Sequence, residues 1–172
     1  MMKTLPRILT ALLLGPGLAL ASTPATQDRP RPRDPLVERG RYLVQAAGCN
    51  DCHTPGYAQR EGKVPEAEWL TGDTVGWRGP WGTTYATNLR LRLRDFSEEQ
   101  WLQFARHFRA RPPMPWFNVT VMTDEDLRAI YRYTLAQGPA GKPAPAYLPP
   151  DRVPSQPFVV FPAPPGTPTA QH

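Results

Sequence analysis

The chain has 172 residues, enough for one ordinary domain. Its hydrophobic share of 40% allows a packed core, but its 23 prolines, against a usual share of about 5%, exclude a long-helix bundle through the whole chain. A net charge of +5 is too mild to suggest nucleic-acid binding, and two closely spaced cysteines exclude a disulfide framework.

Residues 1–21 read as an address. Lys3 and Arg7 precede an apolar run from Ile8 to Leu20, broken by Gly15-Pro16-Gly17, and Ala19-Leu20-Ala21 is a small-x-small cleavage site. The run is short for a membrane span of about 20 residues, and no cysteine precedes Cys49 to carry a lipid. A secretory signal predicts the periplasm or the outer face of the cell envelope, with membrane association only if the segment is retained. Residues 22–33 carry Pro24, Pro30 and Pro32 among polar neighbours and read as a linker.

The spacing predicts a helix from Asp34-Pro35 to about Gly48, with Asp34 as N-cap and Leu36, Val37, Gly40, Leu43, Val44 and Ala47 recurring on one side. Residues 54–95 read as an irregular packed loop region. Ser97-Glu98-Glu99-Gln100 is a capping box, and Trp101, Phe104, Ala105 and Phe108 follow at amphipathic spacing. Thr123 caps a further helix whose first turn holds Asp124, Glu125 and Asp126, and Gly138-Pro139 stops it. Residues 139–172 hold eleven prolines and read as an extended tail that lies against the domain, with Phe158 to Phe161 its sticky stretch.

Cys49-Asn50-Asp51-Cys52-His53 is C-x-x-C-H, the pattern that attaches haem c. Two cysteines three residues apart on a helical turn meet the two vinyl groups of one haem, and each adds as a thioether. His53 is then carried to the iron as proximal ligand. Two rival readings exist. A dithiol redox pair would use both cysteines without needing the adjacent histidine. A zinc site would need a further ligand from His107, His172 or a carboxylate.

Met114 and Met122 remain as distal-ligand candidates once Met1 and Met2 leave with the signal. Pro112, Pro113 and Pro115 stiffen the segment around Met114, which can then hold a thioether at little ordering cost. Met114 is therefore the first candidate and Met122 the runner-up, since Met122 could also pack in the core. Bis-histidine ligation through His107 and an open sixth position are the alternatives.

With these residues in place, the chain resembles the class I cytochromes c from about residue 34 to residue 138. Glu38-Arg39-Gly40-Arg41-Tyr42-Leu43-Val44 is similar to that family's first helix, where a glycine lets the last helix cross closely. The resemblance implies that Gly40 faces Leu127, Ile130 and Tyr131. It also implies an all-α fold of three to five helices round one covalently bound haem c, with extended proline-rich flanks.

Gly79-Pro80-Trp81-Gly82-Thr83-Thr84-Tyr85-Ala86-Thr87-Asn88-Leu89 is similar to a segment of the cytochrome subunits of membrane-bound alcohol and aldehyde dehydrogenases. So are the Ser-Glu-Glu-Gln helix, Pro113-Met114-Pro115-Trp116 and Thr123-Asp124-Glu125-Asp126-Leu127. The resemblance implies Met114 as distal ligand, Tyr85 to Asn88 near the haem edge and propionates, and a proline carbonyl, here Pro65, as acceptor for the proximal imidazole. The chain departs from the subgroup in having one C-x-x-C-H where those subunits usually have three. It also carries Arg90-Leu91-Arg92-Leu93-Arg94 in place of a Gly-rich loop.

The expected role is a monohaem carrier of single electrons between a dehydrogenase and a terminal oxidase or other acceptor, and not itself an enzyme. Trp101, Phe104, Phe108, Tyr131 and Trp116 are the expected pocket or core walls. Arg90, Arg92, Arg94, Arg106, Arg109 and Arg111 form either a solvated face or a docking patch for an acidic redox partner. Two other roles compete: a haem sensor or peroxidase-like enzyme with an open sixth position, and a dedicated electron-transfer subunit whose tail clamps its partner.

Overall fold

The computed structural model describes residues 34–162; the expected signal and linker, and residues 163–172 of the tail, lie outside the described residues. The order is α1 (Pro35–Ala46), α2 (Cys49–His53), β1 (Gly76–Gly79), β2 (Gly82–Tyr85), α3 (Leu89–Arg92), α4 (Glu98–His107), α5 (Trp116–Thr120), α6 (Asp124–Ala136) and β3 (Phe158–Val160). Short 3-10 turns occupy Glu66–Glu68 and Leu93–Asp95.

The helix ends follow from local chemistry. Asp34 accepts a bond from the Leu36 amide at 2.9 Å, with Pro35 in the first turn. Gly48 stands at φ +71°, a left-handed conformation that glycine adopts without strain, and so separates α1 from α2. Ser97 and Gln100 cap α4 reciprocally, through bonds of 3.2 and 2.8 Å. Thr123 accepts from the Asp126 amide, and three carboxylates sit at the positive end of α6.

Helices α1 and α6 cross in close contact. A Cβ built on Gly40 would lie 2.0 Å from the Ala129 carbonyl oxygen and 2.6 Å from the Tyr133 Cβ, so only glycine permits this approach. The expectation of a glycine crossing holds, but the residues opposite are Ala129 and Tyr133, not Leu127, Ile130 and Tyr131. Those three turn into the core with Val44, Leu70, Leu93, Trp101 and Leu102. The Trp101 indole donates to the Leu127 carbonyl at 2.8 Å, and Tyr131 Oη donates to the Phe96 carbonyl at 2.7 Å. Both aromatics thereby satisfy their polar ends.

The all-α expectation is corrected by a three-stranded sheet of order β2-β1-β3, with β1 antiparallel to β2 and parallel to β3. The region 54–95 is therefore not simply irregular. Gly82, at φ +97°, closes the turn between β1 and β2, and Thr83, Thr84 and Tyr85 favour the pleat that follows. The described part of the tail, up to residue 162, lies against the domain as expected, and Phe158 to Val160 supply the third strand.

Glu66 ties three elements together. It accepts from Arg41 Nε at 2.8 Å, Tyr133 Oη at 3.0 Å and Gln137 Nε2 at 3.1 Å. Burial pushes its carboxyl up, but the bonds from Arg41, Tyr133 and Gln137 outweigh this and hold it below the usual range. A carboxyl depressed in the folded state adds stability above its unfolded pKa of about 4.3, and that stability is lost as pH falls through the folded value. Glu66→Gln should cost about 1 kcal/mol at pH 7 and flatten the acid limb of a urea-unfolding series. Identical acid limbs in the two proteins would remove Glu66 from that response.

Candidate cofactor site

Cys49, Cys52 and His53 share the single short helix α2, which Asn50 and Thr54 anchor. Thr54 Oγ1 donates to Asn50 Oδ1 at 2.8 Å and accepts from the Leu70 amide at 2.8 Å, both inside the core. The Gly72 amide donates to the His53 carbonyl at 2.8 Å. The turn that carries Cys49, Cys52 and His53 is thus held by buried hydrogen bonds.

His53 Nδ1 lies 2.7 Å from the Thr87 carbonyl oxygen. A carbonyl only accepts, so this geometry assigns the proton to Nδ1 and leaves the Nε2 lone pair for a metal. Burial pushes the imidazole below its usual range, partly opposed by the Thr87 carbonyl, and so favours the neutral ring that ligation requires. The acceptor is Thr87, not Pro65. The Pro65 carbonyl is instead committed to the Glu68 amide at 2.9 Å, at the start of a 3-10 turn.

Both cysteines are free thiols. Burial pushes Cys49 up to about 11, and burial, then Asp51 and Asp73, push Cys52 up as well. A dithiol oxidoreductase needs the opposite shift, since its attacking group is a thiolate. A zinc site also lacks support: among the described residues, no group of three or more His, Cys, Asp or Glu side chains is placed to share a metal. A pair of neutral thiols beside an imidazole with a free Nε2 fits covalent attachment of haem c.

The two methionines differ in surroundings. Met122 packs against the core cluster at the end of α5. Met114 is half-buried outside that cluster, in the proline-rich segment between α4 and α5. That segment is anchored at both ends: Thr84 Oγ1 donates to the Pro112 carbonyl at 2.8 Å, and the Arg109 guanidinium sits 4.0 Å from the Trp116 ring centroid. His107 is exposed on α4, where its Nδ1 meets the Gln103 carbonyl at 2.9 Å.

Of the expected walls, Trp101 and Tyr131 are core residues, whereas Phe104, Phe108 and Trp116 remain partly exposed. Phe104 stacks on Phe108 with centroids 5.2 Å apart. In the Tyr85 to Asn88 stretch, Tyr85 Oη pairs with Gln156, and Asn88 caps α3 while its amide donates to the Ala140 carbonyl. Arg90 does not belong to any solvated face. It is 5% exposed, and its guanidinium donates to the carbonyls of Ala67, Gln137 and Gly138.

Comparison with known proteins finds cytochrome subunits of dehydrogenases. The chain is 34% identical over 110 residues to the gluconate 2-dehydrogenase cytochrome c subunit of Pantoea cypripedii, covering 58% of this chain and 23% of that one. It is 30% identical over 148 residues to the fructose dehydrogenase cytochrome subunit of Gluconobacter japonicus, covering 80% of this chain and 29% of that one. The chain is a relative of dehydrogenase cytochrome c subunits. A third, the cytochrome c subunit of a quinone alcohol dehydrogenase from Gluconacetobacter polyoxogenes, is 28% identical over 68% of this chain and 24% of its own length. The chain spans about a quarter of the length of these curated relatives. No family model and no solved structure matches it. Among the described residues, no helix is long and apolar enough to cross a membrane.

Proposed function

We propose that the chain is a monohaem c-type cytochrome with a class I fold that carries single electrons outside the cytoplasm and is not itself an enzyme. The observation that carries this reading is the imidazole of the C-x-x-C-H turn, fixed through Nδ1 by the Thr87 carbonyl with Nε2 left to ligate. Cys49 and Cys52 would hold the haem as thioethers, His53 would be its proximal ligand and Met114 its distal ligand. Bound there, haem c supplies a one-electron iron couple, and a His/Met ligand pair biases that couple toward the reduced state.

The protein's own contribution is rigidity. His53 is held from both its ring and its backbone, and the Met114 segment is held by Thr84 and Arg109, so little of either support has to move when charge changes. The relatives' names support a dehydrogenase as electron donor; the acceptor would be an oxidase or another redox protein. An acidic partner suits the surface of α3 to α4 and the segment after it. There Arg94, Arg109 and Arg111 make no ion pair among the described residues, while Arg92 and Arg106 are partly neutralised by Asp95 and Asp124.

Absorbance spectra of the haem-loaded protein test this reading. The ferric form should show a sulfur-to-iron band at the red edge, and the ferrous form should not respond promptly to carbon monoxide. Met114→Ala should abolish the band and open the iron to carbon monoxide, and Met122→Ala should leave both properties intact. Loss of the band in Met122→Ala alone would transfer the distal role to Met122. A prompt carbon monoxide response in the unmutated protein would replace the carrier by a sensor or catalyst.

A further inference from the structure

The described part of the tail bonds to the β1–β2 hairpin at several points. Leu148 and Thr83 exchange both backbone bonds, at 2.7 and 3.0 Å. Arg78 donates to the carbonyls of Pro150 and Arg152 at 3.1 and 2.6 Å, and the Gly76 amide donates to Pro157 at 2.8 Å. Phe161 then rests its ring against Trp77 and Trp81, with centroids 5.9 and 5.4 Å away.

The same hairpin touches both sides of the cofactor site. Beyond β2, the Thr87 carbonyl holds His53. Within β2, Thr84 Oγ1 reaches the Pro112 carbonyl, two residues before Met114; its other acceptor, the Trp77 carbonyl, is farther at 3.4 Å. The tail also reaches the methionine segment directly. The Arg111 guanidinium lies 3.9 Å from the centroid of the Tyr147 ring, and Tyr147 Oη donates to the Trp81 carbonyl at 2.9 Å, closing the triangle of tail, hairpin and segment.

We propose that the tail is a brace for the distal ligand, with Thr84 and Tyr147 as the positioning residues that keep the Met114 segment closed. The inference rests on Met114 being the distal ligand. Its physical content is a local equilibrium between a closed segment and an open one. Two attachments precede Met114 within three residues, and each removes freedom from the open state. A competing ligand reads that equilibrium, because its apparent affinity scales with the open fraction.

The experiment is an imidazole titration of the ferric, haem-loaded full chain, followed by loss of the red-edge band. Thr84→Val keeps the shape and removes the donor; Tyr147→Leu removes the ring beneath Arg111. Each should tighten apparent imidazole binding by about tenfold, the size expected when one net hydrogen bond or cation–π contact of about 1.4 kcal/mol is lost. Glu66→Gln, remote from the segment, controls for lowered global stability and should leave imidazole binding unchanged. Unchanged binding in both brace variants, with the band present in the parent and absent in Met114→Ala, overturns the brace alone. An equal tightening in Glu66→Gln overturns it too. A parent protein without the band overturns the ligand assignment and the brace together.

Discussion

Gly40→Val should destabilise the protein by about 3 kcal/mol or more, read as a fall in the urea midpoint of the full chain. The first added carbon would sit 2.0 Å from the Ala129 carbonyl oxygen and 2.6 Å from its carbonyl carbon. Both are backbone atoms of α6, so no side chain can swing aside, and the two helices must separate. Separation loosens the contact beneath Val44, Leu127 and Tyr133, all nearly or fully buried. Valine gains little helix propensity over glycine, so nothing offsets the clash. A loss that large is a sizeable part of the 5–15 kcal/mol typical of a whole domain. A midpoint unchanged within error would show that the helices do not cross where they are placed.

Arg90→Met should cost about 3 kcal/mol, although charge removal from an arginine-rich segment would ordinarily be neutral. Arg90 Nε lies 2.7 Å from the Gly138 carbonyl, and Nη1 lies 2.6 Å from the Ala67 carbonyl, with Gln137 as a third acceptor. Gln137 and Gly138 are at the negative end of α6, whose last carbonyls lack partners within the helix. Burial pushes the guanidinium below its ordinary value, yet an arginine stays charged, so the three carbonyls are its compensation. Methionine fills the space but donates nothing, so all three carbonyls lose their bond to Arg90. Arg90→Lys should recover only a small part, because one ammonium cannot span a planar three-way site. If Arg90→Met proved as mild as Arg92→Met, whose guanidinium is exposed and paired with Asp95, the site at Arg90 would carry no special load.

These two residues mark the boundary of what the chain discloses when read as letters. The starts of α1, α4 and α6 were legible because caps are local chemistry: Asp34 with Pro35, Ser97 with Gln100, Thr123 before three acids. C-x-x-C-H was legible for the same reason, its spacing being its function. The hairpin was not. Its strands are four residues each, glycine-rich, and completed by a strand supplied from Phe158 to Val160. α5 is a single turn beginning at Trp116, too short to show a period. Thr87 fell in the stretch expected near the haem edge, but its role as the imidazole's acceptor was not legible because it acts through its backbone carbonyl, which no side chain advertises. Arg90 looked like its neighbours because counting charge does not reveal burial. For Gly40, the need for close contact was readable, but the facing pair, Ala129 and Tyr133, depends on the rotation of α6 about its axis.

The parallel pairing of β1 with β3 has a consequence in time. Its register sets Gly76 beside Phe158 and Trp77 beside Val159, and the α1–α6 crossing joins the two ends of the helical region in the same way. Neither contact can form until most of the chain is present, and each must overcome the entropy of closing a long loop. α2 depends on nearer partners: the Leu70 amide bonds Thr54 and the Gly72 amide bonds the His53 carbonyl, so its turn needs only short loops closed. The turn that carries the two thiols therefore closes over shorter loops than the contacts that join the distant parts of the chain.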